Sequence, residues 1–182
     1  MVTQIELDSA SDKNQRRSDM SYDDKNVTMQ GVRLIFRNFR GEPGQFNAAG
    51  NRNFSVLLDS KTAKHMLRDG WNVKELRVRE EGDEPEYALK VTCKYGKIPP
   101  RVVMLTSRGR TDLTEETISV LDHAVIIDAD LIVRPYEWDV QGKQGISAYL
   151  QSLYVTIQED ELELKYAEFN PATPAREEPV FE

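Results

Sequence analysis

The sequence predicts an all-β protein with small inserted helices. Three observations support this fold class: short runs with a period of two are frequent, Gly, Pro, Asn and Asp cluster between the runs, and only short segments have a helical pattern. Alternating apolar and polar residues are typical of strands with one buried face. A βαβ sheet would instead show long helical patterns between strands. The 182 residues are enough for one domain with its own core.

The first part of the chain contains several strand-like segments and one helix. The helix is predicted over 61–69, because Asp59 is typical of a helix N-cap and Gly70 of the position that follows a helix. A long loop is predicted at 38–51, which holds three glycines and a proline. The segments that we interpret as strands are 27–37, 53–58, 71–79, 87–95 and 101–106.

Two β-rich runs within 126–157 predict a hairpin of two long strands. A polar, glycine-containing turn at 140–146 separates the strands, and residues 141–144 are a candidate finger over a ligand. A basic loop, 107–111, and a short helix, 114–121, precede the hairpin. The side chains of the hairpin that we expect in the core are Ile127, Leu131, Leu153, Val155 and Ile157.

A small helix inserted between the strands of a barrel of about five strands fits the OB fold. We therefore predict an OB-fold-like, five-stranded Greek-key barrel with extended hairpins over residues 26–166. Residues 1–25 are polar and weakly patterned, and we expect a flexible N-terminal arm. Residues 167–182 are expected to be an acidic, disordered C-terminal tail.

The composition argues against several functional classes. No apolar run approaches the roughly 20 residues of a membrane helix, and the N-terminus lacks a signal-peptide pattern. The single cysteine, Cys93, excludes an intrachain disulfide, which fits a cytoplasmic protein without a membrane partner. Phosphate-loop, dinucleotide and nucleophile-elbow motifs are missing, and the two histidines lack metal-ligand spacing. We therefore expect no enzyme and no cofactor.

The charges are distributed unevenly along the chain. Residues 30–110 carry sixteen basic and nine acidic side chains, a net charge of +7, whereas 111–157 and 158–182 carry −6 each. Aromatic residues are interleaved with the basic ones. A cationic groove that follows phosphates, together with rings on which bases stack, is what single-stranded nucleic acid requires. This pattern favours nucleic-acid binding.

Two sets of residues are candidates for such contacts. For phosphates we predict Arg37, Arg40, Arg52, Lys74, Lys90, Lys94, Arg134 and Lys143. For base stacking we predict Phe39, Phe46, Trp71, Tyr136, Trp138 and Tyr149. For Trp71, core packing and stacking are equally compatible with its position. Core packing is the preferred interpretation of Phe36, Phe54 and Tyr154.

Several motifs, in order, resemble a known family. They are Ile35-Phe-Arg-Asn-Phe-Arg-Gly41, Gln45-Phe-Asn47, Arg52-Asn-Phe-Ser-Val56, Gly70-Trp-Asn-Val-Lys74, Asp130-Leu-Ile-Val-Arg-Pro-Tyr136 and Gly145-Ile-Ser-Ala-Tyr149. Together they resemble the phage-encoded single-stranded-DNA-binding proteins with an OB fold and an acidic C-terminal tail. The resemblance covers about 27–157 and the tail.

The resemblance implies a partner and a role. The protein would coat and protect single-stranded DNA during phage replication, recombination and repair in the host cytoplasm. Its tail would recruit a polymerase, helicase or primase, and a homodimer is compatible with the family. The candidate docking residues of the tail are Glu177, Glu178, Phe181 and Glu182. Arg176 and three prolines make this tail less acidic than the family pattern.

Two alternatives remain open at the level of sequence. The first is a structural β-barrel protein of the phage virion, which would not need the basic segment 30–110. The second is a metal-dependent nuclease in which Asp128 and Asp130, on one face of a strand, hold Mg²⁺. The competing explanation for this pair is an ion pair with Arg or Lys on a neighbouring strand.

Overall fold

The computed structural model describes residues 20–23 and 26–167 of the chain. The strands are β1 (Met20–Asp23), β2 (Asn26–Met29), β3 (Arg33–Asn38), β4 (Arg52–Leu58), β5 (Val73–Glu75), β6 (Tyr87–Cys93), β7 (Arg101–Thr106), β8 (Gly109–Leu113), β9 (Ile126–Val140) and β10 (Lys143–Ile157). The helices are α1 (Ser60–Arg68), α2 (Glu161–Ala167) and a 3-10 helix (Ile118–Asp122).

Five strands form a ring in the order β3-β4-β6-β10-β9. The pairing of β6 with β10 is parallel, and the other pairings along this order are antiparallel. The backbone N–H of Val32, directly before β3, donates to the carbonyl of Ala129 on β9 at 3.0 Å and brings the two ends of the ring together. This arrangement confirms the predicted fold class of an all-β, OB-type barrel with small helices.

The other strands extend this ring into one mixed sheet. β2 pairs with β9 and β1 with β2, whereas β5 pairs with β6. β10 has a register irregularity between Leu150 and Ser152, after which it pairs in parallel with β7, and β7 pairs with β8. The interior is filled by large side chains, which include Met29, Phe39, Phe54, Met66, Leu89, Ile118, Leu121, Leu131 and Leu153.

The helix signals and the hairpin are confirmed in the structure. The Asp59 carboxylate accepts the backbone N–H of Thr62 at 2.9 Å and caps α1, and Gly70 has the positive φ of +95° expected after a helix end. β9 and β10 are joined by Gln141 and Gly142, with φ of 52° and 78°. Two positive φ values are typical of a type I′ hairpin turn, which fits the twist of the strands. The observed turn therefore has two residues, whereas the sequence predicted a turn over 140–146.

Some boundaries differ from the sequence prediction. Met20–Asp23, within the predicted arm, pairs with β2, because a polar edge strand can hydrogen bond without an apolar pattern. The predicted strand 71–79 shrinks to β5, since Arg77 and Arg79 are exposed and have no strand partner in the described chain. The basic loop 107–111 is a tight turn into β8, and the helix 114–121 starts only at Ile118.

Two apolar residues that were expected in the core are exposed. Phe36 is 68% exposed and has φ of 49°, because the register of β3 against β4 shifts between Ile35 and Asn38 and turns its ring outward. Ile127 is 58% exposed, since it is the extra residue where the β9–β10 register shifts. Phe54, Leu131, Leu153 and Val155 are buried as predicted, Tyr154 is half-buried, and Ile157 packs partly against the core.

Candidate nucleic-acid interface

A row of four residues crosses the outer surface of the barrel. Asn53 on β4 pairs with Thr92 on β6, Thr92 with Tyr149 on β10, and Tyr149 with Arg134 on β9. Residues that are paired across neighbouring strands point to the same side of a sheet. The neighbours of these four residues along their strands include the buried Phe54, Val91, Cys93, Ala148, Leu150 and Val133, so the row faces outward.

Two shallow grooves meet on this row. One, of about 500 Å³, is lined by Lys94, Gly96, Lys97, Ile98, Arg134, Pro135, Tyr136 and Tyr149. The other, of about 390 Å³, has in its lining Phe46, Arg52, Asn53, Lys90, Thr92, Lys94, Tyr95, Glu115 and Tyr149. Lys94 and Tyr149 belong to both, which makes the surface continuous. We call Phe46, Lys90, Thr92, Lys94, Lys97, Arg134, Tyr136 and Tyr149 the binding face.

The cations of the binding face are available to an external anion. Lys90, Lys94 and Lys97 are exposed, and Arg134 is partly exposed. None of the four forms an ion pair with a residue in the described ranges 20–23 and 26–167. Unpaired cations side by side are unfavourable unless solvent or an anionic ligand balances them, so the face attracts phosphates.

The aromatic side chains of the face expose ring surface. Tyr136 and Tyr149 are 5.0 Å apart between ring centroids and meet edge to face at 63°. Tyr136 is 51% exposed, and Phe46, in the β3–β4 loop (residues 39–51), is 89% exposed. An edge-to-face pair leaves ring faces uncovered, which is the geometry that a stacking base requires.

The β3–β4 loop is fixed from both sides at its start. The Asp122 carboxylate accepts the backbone N–H groups of Phe39 and Arg40 at 2.6 and 2.9 Å. Nη1 of Arg52 donates to the carbonyls of the same two residues at 3.0 and 2.7 Å. Farther along, Nδ2 of Asn47 donates to backbone carbonyls of the loop itself. These bonds hold the loop that carries Phe46 against the barrel.

Burial controls the ionisation of two side chains beneath the face. It raises the pKa of the Cys93 thiol to about 12, and it is the main cause that raises the pKa of Tyr95 to about 12. Both groups are therefore neutral near pH 7 and add no negative charge under the cations. The buried Cys93 is a packing residue, as the sequence indicated.

Comparison with known proteins identifies the family of this chain. A family model for a phage ssDNA-binding domain matches residues 17–178, which is most of the sequence. The chain belongs to the phage ssDNA-binding domain family. Among curated proteins, none matches the chain.

Solved structures share the fold of this family member. The single-stranded DNA-binding protein from bacteriophage Enc34 has a TM-score of 0.52 in three structures. Its C-terminal truncation is 13% identical, and the match covers 80% of this chain and 94% of that one. Its complex with ssDNA is 11% identical, with 80% and 98% covered, and the protein in a third structure is 11% identical, with 86% and 97% covered.

Six of the predicted contact residues lie together on the binding face of this phage ssDNA-binding domain. They are Phe46, Lys90, Lys94, Arg134, Tyr136 and Tyr149. The structure adds Lys97 and Thr92, which the sequence prediction missed. The signal for Thr92 was its position between Lys90 and Lys94 on one strand face, and the signal for Lys97 was its basic charge next to Gly96.

Two predicted stacking residues are corrected. Phe39 is fully buried and packs against Phe54 at 5.1 Å between ring centroids, because the loop start turns back into the barrel. Trp71 is only 5% exposed and belongs to the core below α1, so core packing is the correct one of its two interpretations. Neither ring has a free face for a base in this structure.

Three predicted arginines already have partners inside the protein. Nη1 of Arg37 donates to the carbonyls of Leu121 and Ala124 at 2.8 and 2.6 Å. Arg52 holds the β3–β4 loop as described above. Arg40 forms an ion pair with Glu42 at 3.0 Å and lies outside both grooves. The Nη1 contacts of Arg37 and Arg52 are structural, and sequence position alone could not distinguish them from phosphate contacts. Nη2 of Arg52 instead lies near Glu115, and both residues line the groove of about 390 Å³.

The remaining predicted residues do not line the two grooves or lie outside the described chain. Lys74 on β5 and Lys143 at the hairpin turn are exposed but line neither groove. The tail residues Glu177, Glu178, Phe181 and Glu182 lie outside the described residues.

Trp138 lies in a separate, acidic groove. This groove of about 450 Å³ is lined by Asp69, Gly70, Glu137, Trp138, Asp139, Gln144, Gly145 and Ile146. The indole lies across Gly145, where an added Cβ would come within 2.6 Å of Cζ2 of the ring. The three carboxylates that line this groove together with the ring repel phosphates, so the predicted stacking role of Trp138 has no support in this geometry.

One acid of the pair considered for Mg²⁺ has a structural contact, which is with the backbone and not with an Arg or Lys of the described residues. Oδ1 of Asp130 accepts the backbone N–H of Gly31 at 2.8 Å. Among the described residues, no group of three or more His, Cys, Asp or Glu side chains could hold a metal ion. In the same part of the chain, no helix is long and apolar enough to cross a membrane.

Proposed function

We propose that this chain is a non-catalytic, sequence-independent single-stranded-DNA-binding protein that acts in phage DNA replication, recombination and repair. The observation that carries the proposal is the binding face, on which four cations without an ion-pair partner in the described chain lie with the exposed Tyr136 and Phe46 and the partly exposed Tyr149. The cations would contact the phosphates, and the rings would stack on bases. Every base has a π-face, so stacking does not require a particular sequence.

The preference for single strands follows from the chemistry of the face. In a duplex the faces of the bases are covered by their neighbours, whereas unpaired bases can stack on protein rings. A protein with this face would coat exposed strands and oppose their pairing. One solved structure of the Enc34 protein, which shares the fold, is a complex with ssDNA, and that supports the proposal for this chain.

The C-terminal residues 167–182 add a second proposed role. They are acidic and end with Glu177, Glu178, Phe181 and Glu182. We propose that this tail docks a replication protein, such as a polymerase, helicase or primase, in the host cytoplasm. An anionic tail would also compete with DNA for the binding face. Deletion of 170–182 should therefore raise the affinity for DNA, most at low salt, and an unchanged affinity would exclude the competition.

The direct test is a titration of labelled single-stranded and double-stranded oligonucleotides at two salt concentrations. A label on the DNA is needed because neither tryptophan lies on the binding face. We expect single strands to bind much more tightly than duplexes, and the affinity to fall steeply with salt. Equal binding of both forms would exclude the proposal.

The same titration separates the alternatives. A structural virion protein would form defined oligomers and show no salt-dependent DNA binding. A nuclease would cleave the oligonucleotide when Mg²⁺ is added, and Asp130→Asn would abolish the cleavage.

A further inference from the structure

One acidic side chain lies among the cations of the binding face. Of the described residues that line the groove of about 390 Å³, Glu115 is the only acid, and Arg52, Lys90 and Lys94 are the bases. A carboxylate in a groove that binds DNA is unexpected, because it repels phosphates. Its position next to Arg52 requires an explanation.

Among the described residues, the side chain of Glu115 has one weak contact, with Arg52. Its Oε1 lies 3.4 Å from Nη2 of Arg52, longer than the 2.7–2.9 Å of a strong charge-assisted hydrogen bond. The side chain is 55% exposed. The backbone around it is fixed, because Thr114 accepts the N–H of Ile118 at 2.9 Å. The carboxylate can therefore swing into solvent without movement of the backbone.

Arg52, in contrast, is oriented independently of Glu115. Its Nη1 donates to two backbone carbonyls of the β3–β4 loop, and its guanidinium lies 5.9 Å from the ring centroid of Tyr95. Its side chain is only 17% exposed, and its Nε is buried without a partner in the described chain. When Glu115 leaves, a fixed cation remains with Nη2 available at the groove.

We propose that Glu115 is an internal competitor that occupies, on Arg52, the position of a DNA phosphate. The inference rests on the proposed function and specifies its regulation. In the free protein the carboxylate neutralises Arg52, which would otherwise be a partly buried cation next to Lys90 and Lys94. A phosphodiester of the bound strand displaces the carboxylate and takes over its contact. A single small anion gains less from this exchange, since only a polyanion contacts the neighbouring lysines at the same time.

The experiment compares three variants with the wild-type protein in titrations of a labelled oligo-dT. Glu115→Gln removes the charge, and Glu115→Asp keeps the charge but shortens the reach to Arg52. Glu116→Gln is the matched control, because Glu116 is an exposed neighbour that does not line the groove. Thermal melting checks that each variant is folded, and we expect little change because an exposed ion pair stabilises weakly.

We expect Glu115→Gln to bind about threefold to tenfold more tightly at low salt, with a smaller gain at high salt. Glu115→Asp should show a large part of this gain, and Glu116→Gln should remain within about twofold of the wild type. An equal gain in Glu115→Gln and Glu116→Gln, or a wild-type affinity in Glu115→Asp, would indicate a general charge effect. Either result would contradict the proposal that Glu115 occupies a phosphate position on Arg52.

The outcomes also distinguish this inference from the proposed function. If the wild type binds single strands and Glu115→Gln binds no better, the proposal that Glu115 competes with DNA is wrong, and the proposed function stands. If only Glu115→Gln binds, Glu115 prevents DNA binding under these conditions, and the proposal that it competes with DNA is supported. If neither protein binds, both proposals fail.

Discussion

Tyr136 and Trp138 are two residues apart on β9, yet their rings have opposite electrostatic surroundings. Tyr136 lies with Tyr149, Arg134 and Lys94 in a groove that no acid of the described chain lines. Trp138 lies beside three carboxylates on the groove near the hairpin end. A strand periodicity of two assigns both residues to the same face, but it does not say which charges other segments bring to that face. Aromatic content alone is therefore a weak indicator of a stacking site.

The largest expected effect concerns the tyrosine pair. The double variant Tyr136→Ala/Tyr149→Ala should lose roughly tenfold or more in affinity for oligo-dT per ring, because stacking contributes about 1–3 kcal/mol per base. Titrations of the double and single variants measure the effect. Wild-type affinity in the double variant would show that the rings of the binding face do not contact bases.

Removal of two lysines should give the next largest effect. Lys90→Ala/Lys94→Ala should bind about tenfold more weakly at low salt, and the slope of log affinity against log salt should become shallower by about 1.4, for two single-strand phosphate contacts. The matched control is Lys74→Ala/Lys143→Ala, which removes the same charge outside the two grooves. Equal losses in both pairs would mean that only net charge matters.

A smaller effect is expected at Phe46. Phe46→Ala should weaken DNA binding about fivefold, at the lower end for a stacking ring because the loop is exposed. Its melting temperature should not change, since the side chain is 89% exposed.

Phe39→Ala in the same loop should affect stability. It should lower the free energy of unfolding by about 3–5 kcal/mol, because Phe39 is fully buried. A Phe39→Ala protein as stable as the wild type would contradict the burial of this ring in the core.

The smallest effect is predicted for Trp138. Trp138→Phe keeps an aromatic ring over Gly145 and should bind DNA within about twofold of the wild type. The tryptophan fluorescence of the wild type should also change little when oligo-dT binds. A loss comparable to that of Tyr136→Ala would show that the acidic groove also contacts DNA, and the contrast between the two rings would disappear.

The sequence predicted the hairpin, α1 and the OB-type fold because periodicity and turn residues are local signals. It also assigned Lys90 and Lys94 to the strand face opposite the apolar residues, and both lysines are exposed in the structure. It could not predict the partners of Arg37 and Arg52, because these are backbone carbonyls from distant parts of the chain. Burial of Phe39 and exposure of Phe36 also depend on turns and register shifts that alternation does not encode.

The acid Asp122 illustrates the same limit. In the sequence it is one of many acids in a negatively charged segment, and nothing marks it as important. In the structure its carboxylate accepts two backbone N–H groups of the β3–β4 loop. A count of charges would suggest that Asp122 repels DNA. Its hydrogen bonds show instead that it holds the loop that carries Phe46.

The ring closure of the barrel has a consequence for how the protein is made. Gly31 and Asp130, whose hydrogen bond lies at the closure, are 99 positions apart, and the bonds from Asp122 to the β3–β4 loop span 83 and 82 positions. Such distant pairings raise the contact order, which slows folding because long loops must close first. A ribosome would release Phe46 and Lys90 well before β9 and β10 exist. The nascent chain should therefore acquire affinity for DNA only late, when synthesis of the hairpin is complete.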